Sequence, residues 1–120
     1  MPGNLLILLC DTPFQHESVD HVIEIADAAL EKGHKVNIYL MMDGVYTPVK
    51  SQNGGPFNVT SVSDRLRGLM ERGSKISNCR VCMEIRGVTT DSLPEDVDVG
   101  GIFDLSQMIE EADVVLSMVS

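Results

Sequence analysis

Along this chain, strand-like apolar runs alternate with segments whose apolar residues recur at helical spacing. A continuous apolar run of strand length occupies residues 5–10, largely apolar runs occupy residues 36–42 and 114–119, and residues 75–78 are predicted as a short further strand. Such runs are typical of strands covered on both faces. Between them, apolar residues recur at helical spacing and predict amphipathic helices. The two clearest helical faces consist of Val22, Ile23, Ala26, Ala29 and Leu30, and of Leu66, Leu69 and Met70.

The ends of the first two helical segments carry recognisable start and stop residues. Ser18 and Ser61 precede the apolar faces, and serine is a favoured N-cap residue. Gly33 and Gly73 follow the same faces, where glycine can take the left-handed conformation that ends many helices. We therefore expect helices from about residue 18 to 32 and from about residue 61 to 72.

A further helix is predicted near the carboxyl end of the chain. Asp104 and Gln107 have the spacing of a capping box, in which each side chain bonds to backbone N–H groups at the helix start. Phe103 and Met108 have the spacing of a hydrophobic staple around that start. These four residues predict a helix that begins at residue 104 and ends near residue 112.

Strands that alternate with helices at this spacing predict βαβ units. Right-handed crossovers would then give a three-layer α/β fold, with a mostly parallel sheet and helices on both faces. We expect residues 1–120 to form a single domain. The two long connections, 43–60 and 89–101, are predicted as loops, and the first is long enough to be either functional or disordered.

The composition limits the partners and the compartment. The chain has 120 residues, 18 acidic and 9 basic, with a formal charge of −9. This charge repels phosphate backbones, so we expect no direct nucleic-acid partner and no anionic membrane. No apolar run approaches the roughly 20 residues needed to span a bilayer, and residues 5–9 lack the preceding basic region of a secretory signal. The expected location is cytoplasmic.

Two cysteines three residues apart are the main candidates for chemistry. Cys79 and Cys82 follow the short strand at 75–78, and the predicted helix there is capped by Asn78 and ends at Gly87. The partial positive charge of a helix start, together with Arg86, would favour thiolate, the reactive form. In a parallel sheet, sites gather beyond the carboxyl ends of the strands, which is where these thiols lie.

A helical wheel indicates how this short helix should face the sheet. Val81, Ile85 and Val88 cluster on one side and are expected to pack on the sheet. Cys79 would then be accessible and close to Arg86, in a different sector of the wheel. In contrast, Cys10 closes an apolar strand, where a cysteine is usually a small buried hydrophobic residue.

Several uses of a Cys-x-x-Cys pair remain open at this stage. It could be a dithiol redox pair, or half of a zinc site that needs two more ligands. Cys10 and the histidines His16, His21 and His34 are scattered singly, and no second Cys-x-x-Cys is present. No glycine-rich cofactor motif follows the first strand. Because cytoplasmic thiols are kept reduced and the cysteine number is odd, a disulfide framework is not expected. We expect no metal and no cofactor.

The chain resembles the DsrE/DsrF-like family, in particular its TusD-like sulfur-relay members. The resemblance lies in the Gly33-His34 turn before the second strand, the Gly-Val-Tyr at 44–46, Cys79 with Arg86-Gly87, and the closing Ala-Asp-Val-Val at 112–115. It implies an α/β domain that assembles into a homotrimer or homohexamer. It also implies that Cys79 accepts sulfane sulfur from a donor protein and passes it to an acceptor protein.

One residue departs from the TusD-like pattern. Cys82 stands where those members have no thiol, which leaves persulfide transfer and disulfide chemistry both open. Together with the thiol motif, the resemblance implies a persulfide-carrying sulfurtransferase or sulfur-relay subunit with Cys79 and Cys82 as catalytic residues, supported by Arg86 and Asn78. The alternatives are a non-catalytic oligomeric partner protein of the same fold, or a dithiol redox protein that uses Cys79 and Cys82.

Overall fold

The computed structural model describes residues 2–119 as a five-stranded sheet with helices on both faces. The strands are β1 (Asn4–Leu9), β2 (Lys35–Leu40), β3 (Lys75–Cys79), β4 (Asp98–Gly100) and β5 (Val114–Met118). The helices are α1 (Ser18–Glu31), α2 (Val62–Glu71), α3 (Arg80–Arg86) and α4 (Ile102–Glu111). The strand order is β4-β3-β2-β1-β5 and every pairing is parallel, which confirms the predicted α/β fold.

The strand order explains why the helices divide between two faces. From β1 to β4 each step moves in one direction, so right-handed crossovers place α1, α2 and α3 on one face. The last connection returns past β1 to β5 and places α4 on the opposite face. The apolar run of β1 lies inside the sheet between β2 and β5, where Ile7 pairs with Ile38 on one side and Leu116 on the other.

The two faces differ in the size of their apolar cores. The larger core fills the face covered by α1, α2 and α3, and the smaller core lies beneath α4. Leu6, Tyr39 and Met108 form the centre of the smaller core, with Leu8, Met41 and Cys79 packed against it. A single ten-residue helix therefore covers one face of a five-stranded sheet.

The predicted helix ends are confirmed at the glycines and partly wrong at the starts. Gly33, Gly73 and Gly87 all have positive φ angles and follow the ends of α1, α2 and α3. Ser61 is the N-cap residue of α2, as predicted. In contrast, Ser18 is the first helical residue of α1 rather than its N-cap residue, and its hydroxyl donates a hydrogen bond to the Asp11 carboxylate.

The predicted N-cap residue of α4 is wrong by three residues. Gly101 is the N-cap residue, and its N–H donates to Asp104 Oδ2 at 2.9 Å. Gln107 instead donates to Glu111 at 3.1 Å, one turn further along. Phe103 is 88% exposed, so it forms no hydrophobic staple with the buried Met108. A glycine cap offers no side-chain signal, which is why the pattern favoured the later start.

Both predicted loops contain regular structure. The connection at 89–101 includes β4, a three-residue edge strand that pairs with β3 and is too short and too acidic to be recognised. The connection at 43–60 contains two 3-10 turns, Met42–Tyr46 and Gly55–Phe57. Gln52 ties it to α2, because its Oε1 accepts hydrogen bonds from the N–H groups of Val62 and Ser63 at 3.0 and 3.3 Å.

None of the helices within residues 2–119 is long and apolar enough to cross a membrane.

Candidate functional site

Cys79 lies at the carboxyl edge of the sheet, where β3 passes directly into α3. It is both the last residue of β3 and the N-cap residue of α3, with φ −70° and ψ 119°. On β4 its register partner is Gly100. This pairing keeps Cys79 in an extended conformation and delays the helix by one residue. The prediction that Cys79 is the first helical residue is therefore wrong.

Asn78 does not cap α3, in contrast to the prediction. It is a fully buried strand residue whose Nδ2 donates to the Val45 carbonyl at 3.0 Å. Val45 belongs to the Met42–Tyr46 turn that follows β2. This hydrogen bond connects the turn to β3 at the residue that precedes Cys79.

Hydrogen bonds converge on the Cys79 sulfur. Burial disfavours its ionisation, but the sulfur accepts hydrogen bonds from the backbone N–H and thiol of Cys82, from the Tyr39 hydroxyl and from the backbone N–H of Val81. Hydrogen bonds to a charged form favour that form. Together they lower the pKa of Cys79 below the ordinary thiol value of 9.0. Cys79 is partly exposed, so a reagent can reach this sulfur.

Cys82 ionises less readily than an ordinary thiol, in contrast to Cys79. Its side chain is only 8% exposed, and burial raises the pKa of Cys82, as does the hydrogen bond that its thiol donates to Cys79. The backbone N–H of Met42 and the charge of Arg86 act in the other direction without outweighing burial. Cys82 is therefore the donor of the pair, and Cys79 is the thiol that ionises first as pH rises.

The face that α3 turns to the protein differs from the prediction. Cys82 and Met83 are buried, whereas Val81 and Ile85 are exposed and Val88 is only half-buried. The cause is the position of α3: it packs against the Met42–Tyr46 turn at the sheet edge as well as against β3. The turn covers the Cys82 side of the helix, and the valine and isoleucine stripe is left in solvent.

Arg86 lies beside Cys82 rather than beside Cys79. Its Nε donates to Asp43 Oδ1 at 2.9 Å, and its Nη1 donates to the Cys82 carbonyl at 3.3 Å. The Asp43 carboxylate raises the pKa of Arg86. Asp43 comes from the Met42–Tyr46 turn, so the ion pair joins that turn to α3 and brings one positive charge near the buried thiol.

Comparison with known proteins identifies the family. The sequence profile of the DsrE/DsrF-like family matches residues 3–118. The chain belongs to the DsrE/DsrF-like family.

Relatives and solved structures agree with this assignment over almost the whole chain. An uncharacterized protein of Methanopyrus kandleri is 28% identical over 112 residues, covering 93% of this chain and 91% of that protein. Protein YchN of Escherichia coli is 26% identical over 116 residues, covering 94% and 97%. The crystal structure of the E. coli ychN protein superimposes with a TM-score of 0.86 over 98% of this chain and 100% of that one, at 24% identity. A protein of unknown function from Methanobacterium thermoautotrophicum has a TM-score of 0.77 over 97% and 99%, at 16% identity.

The third thiol of this DsrE/DsrF-like chain also lies at the site. Cys10 follows β1, the strand between β2 and β5, and it is partly exposed rather than sealed in the core. Burial, the Asp11 carboxylate and the nearby Cys82 all raise the pKa of Cys10. Cys10 therefore lies near Cys82 and ionises less readily than an ordinary thiol.

Two of the three histidines have partners away from the thiols. His21 approaches Glu17 at 3.5 Å on the exposed side of α1, and His34 Nδ1 accepts from Gly3 N–H at the opposite end of the sheet. Among residues 2–119, no group of three or more histidine, cysteine or acidic side chains is arranged to hold a metal ion.

Sequence reasoning missed Tyr39, which contributes a hydroxyl to the Cys79 sulfur. A signal was present: in the run 36–42, Tyr39 alternates with Ile38 and Leu40 and so faces the other side of the sheet. A buried tyrosine hydroxyl usually has a hydrogen-bond partner. The sequence did not say which partner, because that depends on the register between β2, β3 and β4.

Proposed function

We propose that this chain is a sulfur-relay subunit of the TusD-like kind, which carries sulfane sulfur as a persulfide on Cys79. The observation that supports the proposal is the environment of Cys79, a partly exposed sulfur with a lowered pKa that accepts several hydrogen bonds. Its family is associated with sulfur relay in general. Residues 1–120 are taken as one DsrE/DsrF-like domain, and the reduced thiols fit a cytoplasmic location.

The transfer requires no oxidant or metal. The Cys79 thiolate attacks the outer sulfur of a donor persulfide, the S–S bond of the donor breaks, and the donor leaves as a thiolate. The outer sulfur and its proton stay on Cys79 as a persulfide. An acceptor thiolate then attacks the same outer sulfur, and Cys79 leaves as a thiolate. The N–H groups of Val81 and Cys82 stabilise negative charge at Cys79 before and after each transfer.

Cys82 and Arg86 support this chemistry in different ways. The Cys82 thiol donates a hydrogen bond to Cys79 and remains protonated. If Cys82 lost its proton it could attack the inner sulfur of the Cys79 persulfide, expel hydrosulfide and form a disulfide that needs a reductant. The raised pKa of Cys82 slows this second route, because less of Cys82 is thiolate at a given pH. Arg86 and Asp43 hold the turn over Cys82.

Intact-protein mass spectrometry after incubation with a persulfide donor tests the proposal. The wild-type chain should gain one sulfur atom, about 32 Da. Cys79→Ser should abolish the gain, whereas Cys82→Ser and Cys10→Ser should keep it. A gain that survives in Cys79→Ser but disappears in Cys82→Ser would overturn the assignment.

The same samples separate the alternative functions. A dithiol redox protein should form a Cys79–Cys82 disulfide, seen as a loss of two hydrogens and of both alkylation sites. A non-catalytic partner protein should show neither the added sulfur nor a fast-reacting thiol. The hydrogen-bonded contact between Cys79 and Cys82 keeps the redox alternative open to this test.

The proposal includes assembly into a homotrimer or homohexamer. It is supported by apolar side chains that the chain leaves in solvent on the thinly covered face, among them Ile102, Phe103 and Val115. Sulfur donor and acceptor proteins are the expected partners. The net charge of −9 argues against direct contact with nucleic acid.

A further inference from the structure

Tyr39 is a fully buried tyrosine whose hydroxyl reaches the reactive sulfur. The ring lies in the smaller core with Leu6 and Met108 and is 1% exposed. The hydroxyl lies 3.2 Å from the Gly100 carbonyl oxygen and 3.4 Å from that of Gly101. Cys79 packs against the same core cluster, and the interaction between the hydroxyl and the Cys79 sulfur lowers the pKa of Cys79 and raises that of Tyr39.

The register of the sheet produces this convergence. Tyr39 pairs with Ser77 on β3, so Tyr39 and Cys79 point to the same face of the sheet, two residues apart in register. Cys79 pairs in turn with Gly100 on β4. The Tyr39 side chain therefore extends from β2 across β3 to β4, close to the carboxyl ends of β3 and β4. A shorter side chain would not span this distance.

The Tyr39 hydroxyl can donate to only one of its possible acceptors at a time. A phenol carries one proton, and three acceptors surround it: two backbone carbonyls and the Cys79 sulfur. When Cys79 is a thiol, the phenol can donate to the Gly100 carbonyl and accept the S–H. When Cys79 is an anion, the strongest acceptor is the sulfur, because hydrogen bonds to charged groups are stronger than those to neutral ones.

We propose that Tyr39 is a positioning residue whose hydroxyl rotates its proton from the Gly100 carbonyl to the Cys79 sulfur whenever that sulfur, or the persulfide it carries, is negatively charged. The proton stays on the tyrosine oxygen throughout, so no bond to hydrogen breaks at Tyr39. The inference builds on the proposed role of Cys79 as the sulfur acceptor. Burial raises the pKa of Tyr39, and the contact with Cys79 raises it further, which keeps the phenol protonated.

The test compares Tyr39→Phe with Tyr46→Phe, the matching change at the other tyrosine of the chain. The rate of alkylation of Cys79 by iodoacetamide is measured against pH and resolved by tryptic peptides. Trypsin cleaves after Lys75, Arg80 and Arg86, so Cys79 and Cys82 fall into separate peptides. Tyr39→Phe should move the Cys79 midpoint to higher pH and slow the reaction at neutral pH by about tenfold. Tyr46→Phe should leave both unchanged.

The outcomes separate a functional hydroxyl from a structural one. A Tyr39→Phe chain that melts at a lower temperature but keeps the wild-type Cys79 midpoint would overturn the proposal, because only the contact with Gly100 would matter. The alkylation assay involves no sulfur transfer. A shifted midpoint in a chain that never accepts sulfur would therefore contradict the proposed function while leaving the role of Tyr39 intact.

A second measurement does not depend on the stability of Tyr39→Phe. In the Tyr46→Phe chain with ¹³C-labelled tyrosine, Tyr39 gives the one ring signal, and that signal should shift as Cys79 ionises. The shift should disappear in the Cys79→Ser version. A Tyr39 signal whose chemical shift does not change as Cys79 ionises would contradict the proposal.

Discussion

At the scale of single residues, the central feature is the division of roles between two similar thiols. Cys79 and Cys82 lie within one helical turn, yet one has a lowered pKa and the other a raised pKa. The difference arises because Cys79 receives hydrogen bonds while Cys82 donates one and is more deeply buried. A thiolate next to a protonated thiol can act as a nucleophile without forming a disulfide at once.

This division predicts a pH order of reactivity. As pH rises, Cys79 should become alkylated with a midpoint below the ordinary thiol value of 9.0, and Cys82 with a midpoint above it. The sign follows from ionisation, since a lowered pKa gives more thiolate at a given pH. Cys82→Ala should raise the Cys79 midpoint by removing one donor, and Cys10→Ala should not. Faster alkylation of Cys82 than of Cys79 at neutral pH would contradict this order.

At the scale of elements, the site depends on the Met42–Tyr46 turn as much as on α3. The turn supplies the Met42 N–H near Cys82, the Asp43 partner of Arg86 and the Val45 carbonyl that binds Asn78. It can lie this close because Gly44 packs directly on the end of β1. An added Cβ at Gly44 would lie 2.3 Å from the Leu9 carbonyl oxygen.

We therefore expect Gly44→Ala to destabilise the chain by about 2–4 kcal/mol, since backbone must move to admit the methyl group. Gly68→Ala is the matched control. It lies on the exposed side of α2 with nothing within 4 Å of an added Cβ, and it should stabilise by about 0.5–1 kcal/mol. Urea unfolding followed by circular dichroism measures both. Equal stability of Gly44→Ala and the wild type would show that the turn is not held against β1.

The elements also show what the sequence could predict. Long apolar runs and glycine stops were sufficient for the strand and helix pattern, because burial on both faces leaves a strong local signal. β4 left no such signal, since a three-residue edge strand is defined by its pairing with β3. The same pairing keeps Cys79 in the strand, so Cys79 rather than Asn78 is the N-cap residue of α3. Cys79 and Cys82 were visible as a motif, whereas Tyr39 became part of the site only through the sheet register.

At the scale of the whole molecule, the two sheet faces are unequally covered. Within residues 2–119, one face has three helices and the other has only α4, which leaves Ile102, Phe103 and Ile109 in solvent on the helix itself. Val115 on β5 points to the same face and is also exposed. Exposed apolar surface of this kind marks interaction sites in many proteins. The net charge of −9 opposes contact between copies, so we expect the proposed assembly to be held together by this apolar surface.

Light scattering at micromolar concentration should give a mass of three or six times the 13.1 kDa chain. Phe103→Glu should lower the mass toward one chain, because it places a charge on the exposed apolar surface of α4. Phe57→Glu is the matched control: Phe57 is 77% exposed but lies in the Gly55–Phe57 turn, away from α4. Raising the salt concentration should preserve the assembly, since salt screens the repulsion between acidic copies. A wild-type mass of one chain, or equal dissociation by both substitutions, would contradict an interface built on α4.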